Sequence, residues 1–528
     1  MSITLGVWSI VHAECSPDRP ALVDGDTGFA RTHAVLDERA AQLAHGLRTR
    51  GVEAGDRVAG FSLNSPEMLE LVLATAKLGA ITVMANIRLT AHEVRYILAD
   101  SGSSLVLASS PFAETAVQAA EGTAVREVIT LAVASQKAAG ERVGFDDVLD
   151  AGTAARANGS PDIDGRDVDP DSPAMIMYTS GTTGAPKGAL ITHANLFWDA
   201  IYHNGFERGL NRYDVNLTTA PLFHIGALAV YTLPSLYSGA CNVVLESFDP
   251  ATWASAVEEH RITKAFAVPT MWAAILGSGA LDDHDTSCLD VAISGGAPCP
   301  IPVIEGLRAK GVCFIEGFGM TETTAVASSL PSEFMTTHAG SVGRPTMHVD
   351  FRIVDPAGID VPAGQVGELI IRGPSVSPGY WNRHDATAEA IRDGWFYSGD
   401  LARVDGDGSY YFDDRKKDMV ISGGENVYPI EVEQVLYDHP AIAEVSVIGT
   451  PHEDWGEAVT AVFVLADGAD DDSASLAEDI TAFARERLSG FKVPRTLHFT
   501  RELPRTATGK VRKVALRSTY GAPAAGPA

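Results

Sequence analysis

The segment Tyr178–Gly188 restricts the possible folds of this chain more than any other part of the sequence. Its eleven residues include three glycines, one lysine and five hydroxyl side chains. Glycine tolerates positive φ and lets backbone N–H groups approach an anion closely, so such a segment can wrap a polyphosphate. The apolar residues 174–177 before it predict a buried strand, and open α/β sheets bind ligands at strand ends. We therefore predict a phosphate-binding loop at the edge of an α/β sheet.

Hydroxyl groups and one ammonium group would supply hydrogen bonds and charge to the phosphates in this loop. The predicted loop residues are Thr179, Ser180, Gly181, Thr182, Thr183, Gly184 and Lys187. A flexible linker is a weaker interpretation, because Pro186 and Lys187 stand at fixed places between two apolar segments. A Walker A loop is excluded, since its lysine precedes serine or threonine, whereas Lys187 precedes Gly188.

The size and composition of the chain indicate a globular protein with at least two domains. Its 528 residues exceed what one hydrophobic core usually holds, and its 20% of charged residues is ordinary. The formal net charge of −28 argues against partners such as nucleic acid or anionic lipid. The five cysteines show no metal-ligand spacing, as expected in a reducing cytoplasm. Without a signal peptide or an apolar run of ~20 residues, we expect a cytoplasmic protein with no integral membrane association.

Apolar runs alternate with helix-period segments up to about residue 170 and again after the glycine-rich loop. This pattern predicts strand–helix–strand units and hence two mixed or parallel sheets covered by helices. Between about residues 340 and 415, short alternating strands separated by turn residues predict a small β-barrel or sheet. We predict an α/β fold with a large N-terminal domain, residues 1–416, and a small mobile α+β C-terminal domain, residues 417–528.

Further motifs carry glycines, carboxylates or lysines that suit a nucleotide site, although each has an ordinary structural explanation. Such motifs are Ser294–Pro298, Gly317–Glu322, Tyr397–Asp400 and Pro504–Lys510. Glu322 could hold Mg²⁺ beside a phosphate loop, and Phe318 could stack on a base. Taken alone, however, such a phenylalanine is more often a core residue and such a glutamate more often a helix N-terminal residue. Asp400, placed after a turn, could bind ribose hydroxyls or simply form the turn. Singly, these motifs decide nothing.

The order of the motifs resembles that of the ANL superfamily of adenylate-forming enzymes, over about residues 5–518. The resemblance is carried by Tyr178–Gly188, Pro221–His224, Gly295–Pro298, Gly317–Glu322, Ser398–Asp400, Arg415–Asp418, Gly423–Pro429 and Pro504–Lys510. Within the superfamily, Ser422–Pro429 is most similar to acyl-CoA synthetases of the fatty-acid and aryl-acid type. The segment Pro221–Leu228 lacks the acid with which amino-acid-activating domains hold their substrate.

The resemblance implies a two-step reaction that uses ATP, Mg²⁺ and coenzyme A. The carboxylate of a medium- or long-chain fatty acid or of an aryl acid would attack the α-phosphorus and release pyrophosphate. CoA would then form a thioester and release AMP. By the same resemblance, the nucleotide would contact Gly295, Gly296, Ala297, Phe318, Gly319, Thr321, Asp400 and Arg415, Mg²⁺ would bind Glu322, and the pantetheine channel would approach Gly423 and Gly424.

Lys510 would bridge the carboxylate and the α-phosphate, and Lys417 would be the hinge about which the C-terminal domain rotates between the two steps. His224 would gate the passage between acyl pocket and thiol tunnel, unless it is a satisfied core histidine. The predicted acyl-pocket residues are small or apolar: Gly226, Ala227, Met271 and Val326. We expect Gly226 to leave space for a long or bulky acyl group.

Two other functions remain open at the level of sequence. One is an acyl-AMP ligase that loads a carrier protein instead of CoA, and the other is a non-catalytic nucleotide-binding relative. The presence of Lys187, Glu322, Asp400 and Lys510 argues against the second. The sequence specifies neither the acid nor the oligomeric state.

Overall fold

The computed structural model describes residues 3–132, 143–179, 186–415, 418–422, 425–452, 455–466, 473–488, 490–505 and 510–521. Within these ranges the strands form three sheets, of six, fourteen and five strands. The first two sheets belong to the large N-terminal part and the third to the small C-terminal part. This confirms the predicted α/β class with a large and a small domain, whereas the exact boundary at residues 416–417 stays a prediction.

The first sheet has the predicted strand–helix–strand order. In spatial order its strands are Glu127–Leu131, Leu105–Ser109, Arg57–Phe61, Ile81–Met84, Pro173–Thr179 and Lys187–Thr192. Neighbouring strands are parallel except for the last pair, which is antiparallel. Parallel neighbours need crossover connections, which are provided here by helices such as Pro66–Leu78 and Ala113–Ala120. The predicted phosphate loop therefore lies in sequence between the two antiparallel strands.

The second sheet consists of a parallel part and an antiparallel extension. The parallel strands, in spatial order, are Pro20–Asp24, Cys241–Val244, Val215–Thr218, Lys264–Ala267, Val291–Ser294 and Phe314–Phe318. The extension consists of Ser328–Leu330, Ser341–Pro345, Tyr410–Arg415, Trp395–Val404, Gly367–Arg372 and Asp350–Val354, with Ala30–Thr32 and Ile391–Arg392 paired at the margins. Among the described residues the extension is an open series of strands, where the sequence predicted a small barrel or sheet.

The third sheet and its helices form the small C-terminal part. Its strands are Val420–Ser422, Glu425–Val427, Ile442–His452, Gly456–Leu465 and Thr496–Phe499, and its helices are Pro429–Tyr437, Ser473–Arg487 and Lys513–Tyr520. Buried side chains including Val447, Phe463 and Ile480 form a core of their own. The mixed α+β pattern predicted after Lys417 is therefore confirmed.

Helices cover both N-terminal sheets. The remaining α-helices are Leu5–Cys15, His33–Thr49, Ala113–Ala120, Phe145–Ala157, His193–Tyr202, Ile225–Ala227, Leu233–Ser238, Pro250–His260, Pro269–Gly277, Ala280–Asp283, Ile301–Ala309 and His384–Ala390. Short 3₁₀ turns span Ser110–Phe112, His203–Gly205, Thr321–Thr323 and Ser332–Phe334, and a π-helical turn spans Leu228–Thr232. Among the described residues, no helix is long and apolar enough to cross a bilayer.

The fold brings the predicted site together at one sheet edge. The strands Val215–Thr218, Lys264–Ala267 and Val291–Ser294 run parallel, so their carboxyl ends lie side by side. Ligands of α/β sheets bind at such carboxyl ends. The motifs that follow these strands in sequence therefore begin at a common edge.

Candidate active site

The two strands that flank the predicted phosphate loop pair directly with each other. Thr179 and Lys187 are partners in the strand register, and the Thr179 hydroxyl donates to the Lys187 carbonyl at 3.4 Å. The loop residues Ser180, Gly181, Thr182, Thr183 and Gly184 lie outside the described part of the chain. The hairpin thus holds the first and last predicted phosphate-binding residues side by side.

Hydrogen bonds from neighbouring elements fix the residues on both sides of the predicted phosphate loop. The Tyr96 hydroxyl donates to the Pro186 carbonyl at 3.0 Å, and the Tyr178 hydroxyl donates to Asp100 Oδ2 at 2.7 Å. Arg383 donates to the hydroxyl of Tyr96 at 3.0 Å and to Asp100 Oδ1. Burial, and then the Asp100 carboxylate, raise the pKa of Tyr178, so its hydroxyl stays protonated and remains a donor. These contacts form a loop anchor, composed of Tyr96, Asp100, Tyr178 and Arg383.

Glu322, the predicted Mg²⁺ ligand, lies next to Lys187. It is buried in the 3₁₀ turn Thr321–Thr323, and Thr321 beside it is half-buried. Its Oε1 accepts a hydrogen bond from the Tyr380 hydroxyl at 2.9 Å. The ring of the same tyrosine faces Lys187, whose Nζ lies 5.3 Å from the ring centroid. The structure therefore brings the predicted acid and the predicted cation to one aromatic side chain.

Two glycine segments meet where the strands Val291–Ser294 and Phe314–Phe318 end. A Cβ added to Gly295 would lie 3.2 Å from the Gly317 carbonyl oxygen. A Cβ added to Gly319 would lie 1.3 Å from the Ala325 carbonyl oxygen, which no side chain can tolerate. Gly296 and Ala297 are exposed at the same edge. The bare backbone expected beside the nucleotide is therefore present.

The predicted adenine and ribose residues lie on the side of this sheet edge where the antiparallel extension begins. Phe318 is half-buried, and its ring centroid lies 4.4 Å from that of Phe412. Asp400 is buried and is the register partner of Arg415, so adjacent strands bring the two predicted ribose residues together. The structure corrects the expected turn before Asp400: the residue lies inside the strand Trp395–Val404. The chain bends within that strand because Gly399 adopts a φ of 72°.

Lys510 and His224 reach this edge from different parts of the chain. The Cε of Lys510 lies 4.0 Å from the position of a Cβ added to Gly296. Burial, then the charges of Lys510 and Arg88, lower the pKa of His224 to about 3. Among the described residues its Nε2 has no hydrogen-bond partner, which argues against the alternative of a satisfied core histidine. The predicted catalytic lysine and the predicted gate therefore lie in one site, with the histidine neutral.

Two of the predicted acyl-pocket residues, Gly226 and Ala227, lie beside Phe266, a residue that was not among the predicted ones. Three of the predicted residues are buried: Ala227, Met271 and Val326. The Cζ of Phe266 would lie 3.0 Å from a Cβ added to Gly226, and its Cε2 would lie 3.4 Å from a Cβ added to Gly295. The expectation that Gly226 leaves space was therefore wrong, because the ring of Phe266 fills the space beside it.

Other predicted residues cannot be placed within the described ranges. Lys417, Gly423 and Gly424 lie outside them. Phe266 and Tyr380 were missed because each resembles an ordinary core aromatic residue in sequence. The available signal for Tyr380 was its position after glycine in a segment rich in proline and glycine; Phe266 carries no such signal.

Comparison with known proteins decides the family. The chain matches the AMP-binding enzyme model over residues 11–381 and the model of the AMP-binding enzyme C-terminal domain over residues 431–510. The first match alone covers more than half of the chain. The chain belongs to the AMP-binding enzyme family.

Relatives of this AMP-binding enzyme narrow the reaction. A feruloyl-CoA synthase of an Amycolatopsis species is 41% identical, over 98% of this chain and 99% of the relative. The long-chain-fatty-acid–CoA ligase FadD13 of Mycobacterium tuberculosis is 34% identical, over 97% of each chain. The structure of o-succinylbenzoate CoA synthetase from Bacillus subtilis with its acyl-adenylate intermediate is 30% identical, with a TM-score of 0.83 over 97% of this chain and 98% of that chain.

These likenesses confirm the resemblance to adenylate-forming acyl-CoA synthetases. The AMP-binding enzyme is an ATP-dependent acyl-CoA synthetase, an acid–thiol ligase whose reaction passes through an acyl adenylate. ATP and CoA are its substrates.

Proposed function

We propose that this enzyme activates an aryl monocarboxylic acid of the hydroxycinnamate kind and transfers it to CoA. The observation that carries this choice is the Phe266 ring between Gly226 and Gly295. The ring fills the space beside both glycines and would therefore give the acyl site an aromatic wall. Aromatic rings stack favourably on one another in offset or edge-to-face geometry. The identity of 41% to a feruloyl-CoA synthase supports the same class of acid.

The space behind Phe266 argues against a long alkyl chain. It is a cavity of about 10 Å³, lined by Phe266 together with Asn216, Leu217, Thr218, Thr219, Ala220, Ala227, Tyr231 and Thr232. A volume of this size holds about one water molecule. The lining also contains amide and hydroxyl groups that hydrogen-bond to one another, such as those of Asn216, Thr218 and Thr232, so it is not a purely apolar surface. In this proposal Phe266 would close the acyl site, which suits a flat ring better than a long alkyl chain.

In the proposed first step, an oxygen of the substrate carboxylate attacks the α-phosphorus, and the bond to pyrophosphate breaks. Two anions must approach each other, so charge stabilisation and positioning dominate the catalysis. Lys510, beside Gly296, would neutralise the charge between carboxylate and α-phosphate. Lys187 at the end of the loop hairpin would hold the departing pyrophosphate, and Asp400 with Arg415 would hold the ribose.

Glu322 fits a role as a protein ligand of Mg²⁺. Magnesium usually keeps several waters and binds one or two carboxylates together with substrate phosphates. Glu322 supplies one such carboxylate, oriented by Tyr380. Among the described residues no group of three or more His, Cys, Asp or Glu could hold a metal, so the phosphates would provide most other ligands. The bound ion would neutralise phosphate charge.

In the proposed second step, the CoA sulfur attacks the acyl carbonyl and AMP leaves with the electrons of the broken C–O bond. Burial and the charge of Lys510 lower the pKa of His224 and keep it neutral, so it can move aside without breaking an ion pair. Rotation of the C-terminal domain at Lys417, with Gly423 and Gly424 approaching the pantetheine, stays part of the proposal. The names of the relatives favour CoA over a carrier protein as acceptor.

A panel of acids tests the proposed substrate class. AMP release that depends on CoA would be measured with ferulate, 4-coumarate, benzoate, octanoate and palmitate at matched concentrations. We expect kcat/KM for the hydroxycinnamates to exceed that for palmitate by at least ~10-fold, since ~1.4 kcal/mol of differential binding gives that factor. Palmitate as the best substrate would overturn the proposal.

The variant Phe266→Ala tests the residue that carries the proposal. Removing the ring joins the acyl site to the cavity behind it, so the preference should shift toward octanoate and away from the aryl acids. Phe112→Ala is the matched control, because Phe112 packs on Phe61 in the first sheet, with ring centroids 5.5 Å apart. An unchanged order of preference in Phe266→Ala would remove Phe266 from the acyl wall.

A further inference from the structure

We propose that Tyr380 is a positioning residue that holds Glu322 and Lys187 in fixed relation within the ATP site. The inference rests on the proposed roles of those two residues and does not depend on which acid is activated. It concerns a side chain that contacts the predicted acid with its hydroxyl and the predicted cation with its ring.

The hydroxyl of Tyr380 controls the orientation of the Glu322 carboxylate. The hydroxyl donates a hydrogen bond to Glu322 Oε1 at 2.9 Å. The carboxylate therefore accepts from a neutral donor. One carboxylate oxygen is thereby held in place, and a carboxylate carries a second oxygen for other ligands.

The ring of Tyr380 controls the position of the Lys187 ammonium. Nζ lies 5.3 Å from the ring centroid, within the ~6 Å at which a cation is attracted to an aromatic face. The ring therefore contributes to the position of the ammonium. Because the acid is at the hydroxyl and the cation is over the ring, the length of one tyrosine side chain sets their separation.

The backbone of Tyr380 is fixed to the same strand that carries Lys187. Residues Ala189 and Tyr380 form an antiparallel bridge. Trp381 N donates to the Gly188 carbonyl at 2.8 Å, and Leu190 N donates to the Gly379 carbonyl at 2.9 Å. The ring and the lysine it faces therefore belong to one hydrogen-bonded unit, so Tyr380 transmits the position of the loop hairpin to Glu322.

Two substitutions separate the two contacts. Tyr380→Phe keeps the ring under Lys187 and removes the donor to Glu322, whereas Tyr380→Leu removes both. The matched control is Tyr411→Phe, because the Arg403 guanidinium lies 4.5 Å from the Tyr411 ring centroid and Asp405 accepts from its hydroxyl. Tyr411 thus has the same pair of contacts outside the proposed ATP site.

The measurements are ATP–pyrophosphate exchange with any accepted acid, as a function of ATP and of Mg²⁺, and calorimetric binding of Mg·ATP without acid. For Tyr380→Phe we expect the Mg²⁺ concentration at half-maximal rate to rise about threefold to tenfold, the range that the loss of one hydrogen bond gives. Tyr380→Leu should in addition weaken Mg·ATP binding by at least about threefold, as loss of a cation–π contact predicts. The KM for the acid should not change in either variant, and Tyr411→Phe should behave as the unmodified enzyme.

Several results would overturn the proposal. An unchanged Mg²⁺ dependence in Tyr380→Phe would do so, and so would an equal rise of KM for the acid and for ATP, which a merely structural role would produce. If Tyr380→Leu does not fold, the phenylalanine variant alone decides. If no acid supports exchange, the proposed function fails, and calorimetry with Mg·ATP still tests Tyr380 by itself.

Discussion

On the nucleotide side of the site, Tyr96, Asp100 and Arg383 hydrogen-bond to one another and to the flanks of the phosphate loop. On the acyl side, the Phe266 ring meets Gly226 and Gly295 through van der Waals contacts alone. Hydrogen bonds specify distance and direction, whereas apolar contacts specify little more than volume. The nucleotide side should therefore tolerate little change, and the acyl side should adapt to different acids.

The largest expected effect concerns Lys510. Because it would neutralise charge that develops between two anions, Lys510→Ala should slow adenylation by ~10²–10³, the cost of removing one preorganised donor. Pyrophosphate exchange measures this step. Thioester formation from a supplied acyl adenylate should fall less, since that step does not bring the two anions together.

Lys492→Ala is the control for Lys510→Ala. Lys492 also belongs to the C-terminal part, but it pairs with Glu431 at 2.6 Å, and a partly exposed ion pair contributes little. We expect nearly unchanged rates in both half-reactions. An equal loss in both half-reactions for Lys510→Ala would contradict its assignment to adenylation alone.

The difference between the two sides also explains what could be predicted from sequence. The strand Arg57–Phe61 and the helix Pro66–Leu78 follow from hydrophobic periodicity, which is a local property. The nucleotide-side motifs follow from residue types that phosphate requires. The contact between Phe266 and Gly226 could not be predicted, because it depends on how a strand and a helix distant in sequence face each other.

The position of Asp400 illustrates a second reason for failure. Gly399 predicts a turn by composition, yet the strand Trp395–Val404 continues through it because pairing with Gly367–Arg372 holds both sides. Tertiary pairing thus overrode a local signal.

A pair of glycine substitutions compares the rigidity of the two sides. Gly319→Ala would put a Cβ 1.3 Å from the Ala325 carbonyl oxygen, so backbone must move. We expect the free energy of unfolding to fall by about 3 kcal/mol, the upper end for over-packing. Gly226→Ala meets only the tip of the Phe266 ring, at 3.0 Å, and should cost less than about 1 kcal/mol.

Urea unfolding and the acid panel together distinguish these two outcomes. Gly226→Ala should change the preference among acids at nearly unchanged stability, because it displaces the ring that forms the acyl wall. Gly319→Ala should lower stability and activity with every acid alike. Similar stability losses in the two variants would show that the acyl side is as rigid as the nucleotide side.

A smaller effect than that of Gly319→Ala concerns His224, whose pKa is lowered by burial and by the charge of Lys510. Its folded-state pKa of about 3 is below the ordinary 6.5, so the unfolded chain takes up a proton first as the pH falls. Its contribution to stability is complete above pH 6.5 and is lost progressively toward pH 3. Between pH 7 and pH 5 this loss should lower the free energy of unfolding by about 2 kcal/mol. In His224→Gln this part of the loss should be absent, so its free energy of unfolding should fall by about 2 kcal/mol less than that of the unmodified enzyme.

Urea unfolding at pH 7 and pH 5 measures this difference, with His384→Gln as the control at an exposed histidine. The control should show the pH dependence of the unmodified enzyme. Identical pH dependence in His224→Gln would mean that the imidazole takes up its proton as readily in the folded enzyme as in the unfolded chain. Lys510 would then lie beside an imidazolium at pH 5, and the charge that stabilises the two reacting anions would come from both residues instead of Lys510 alone.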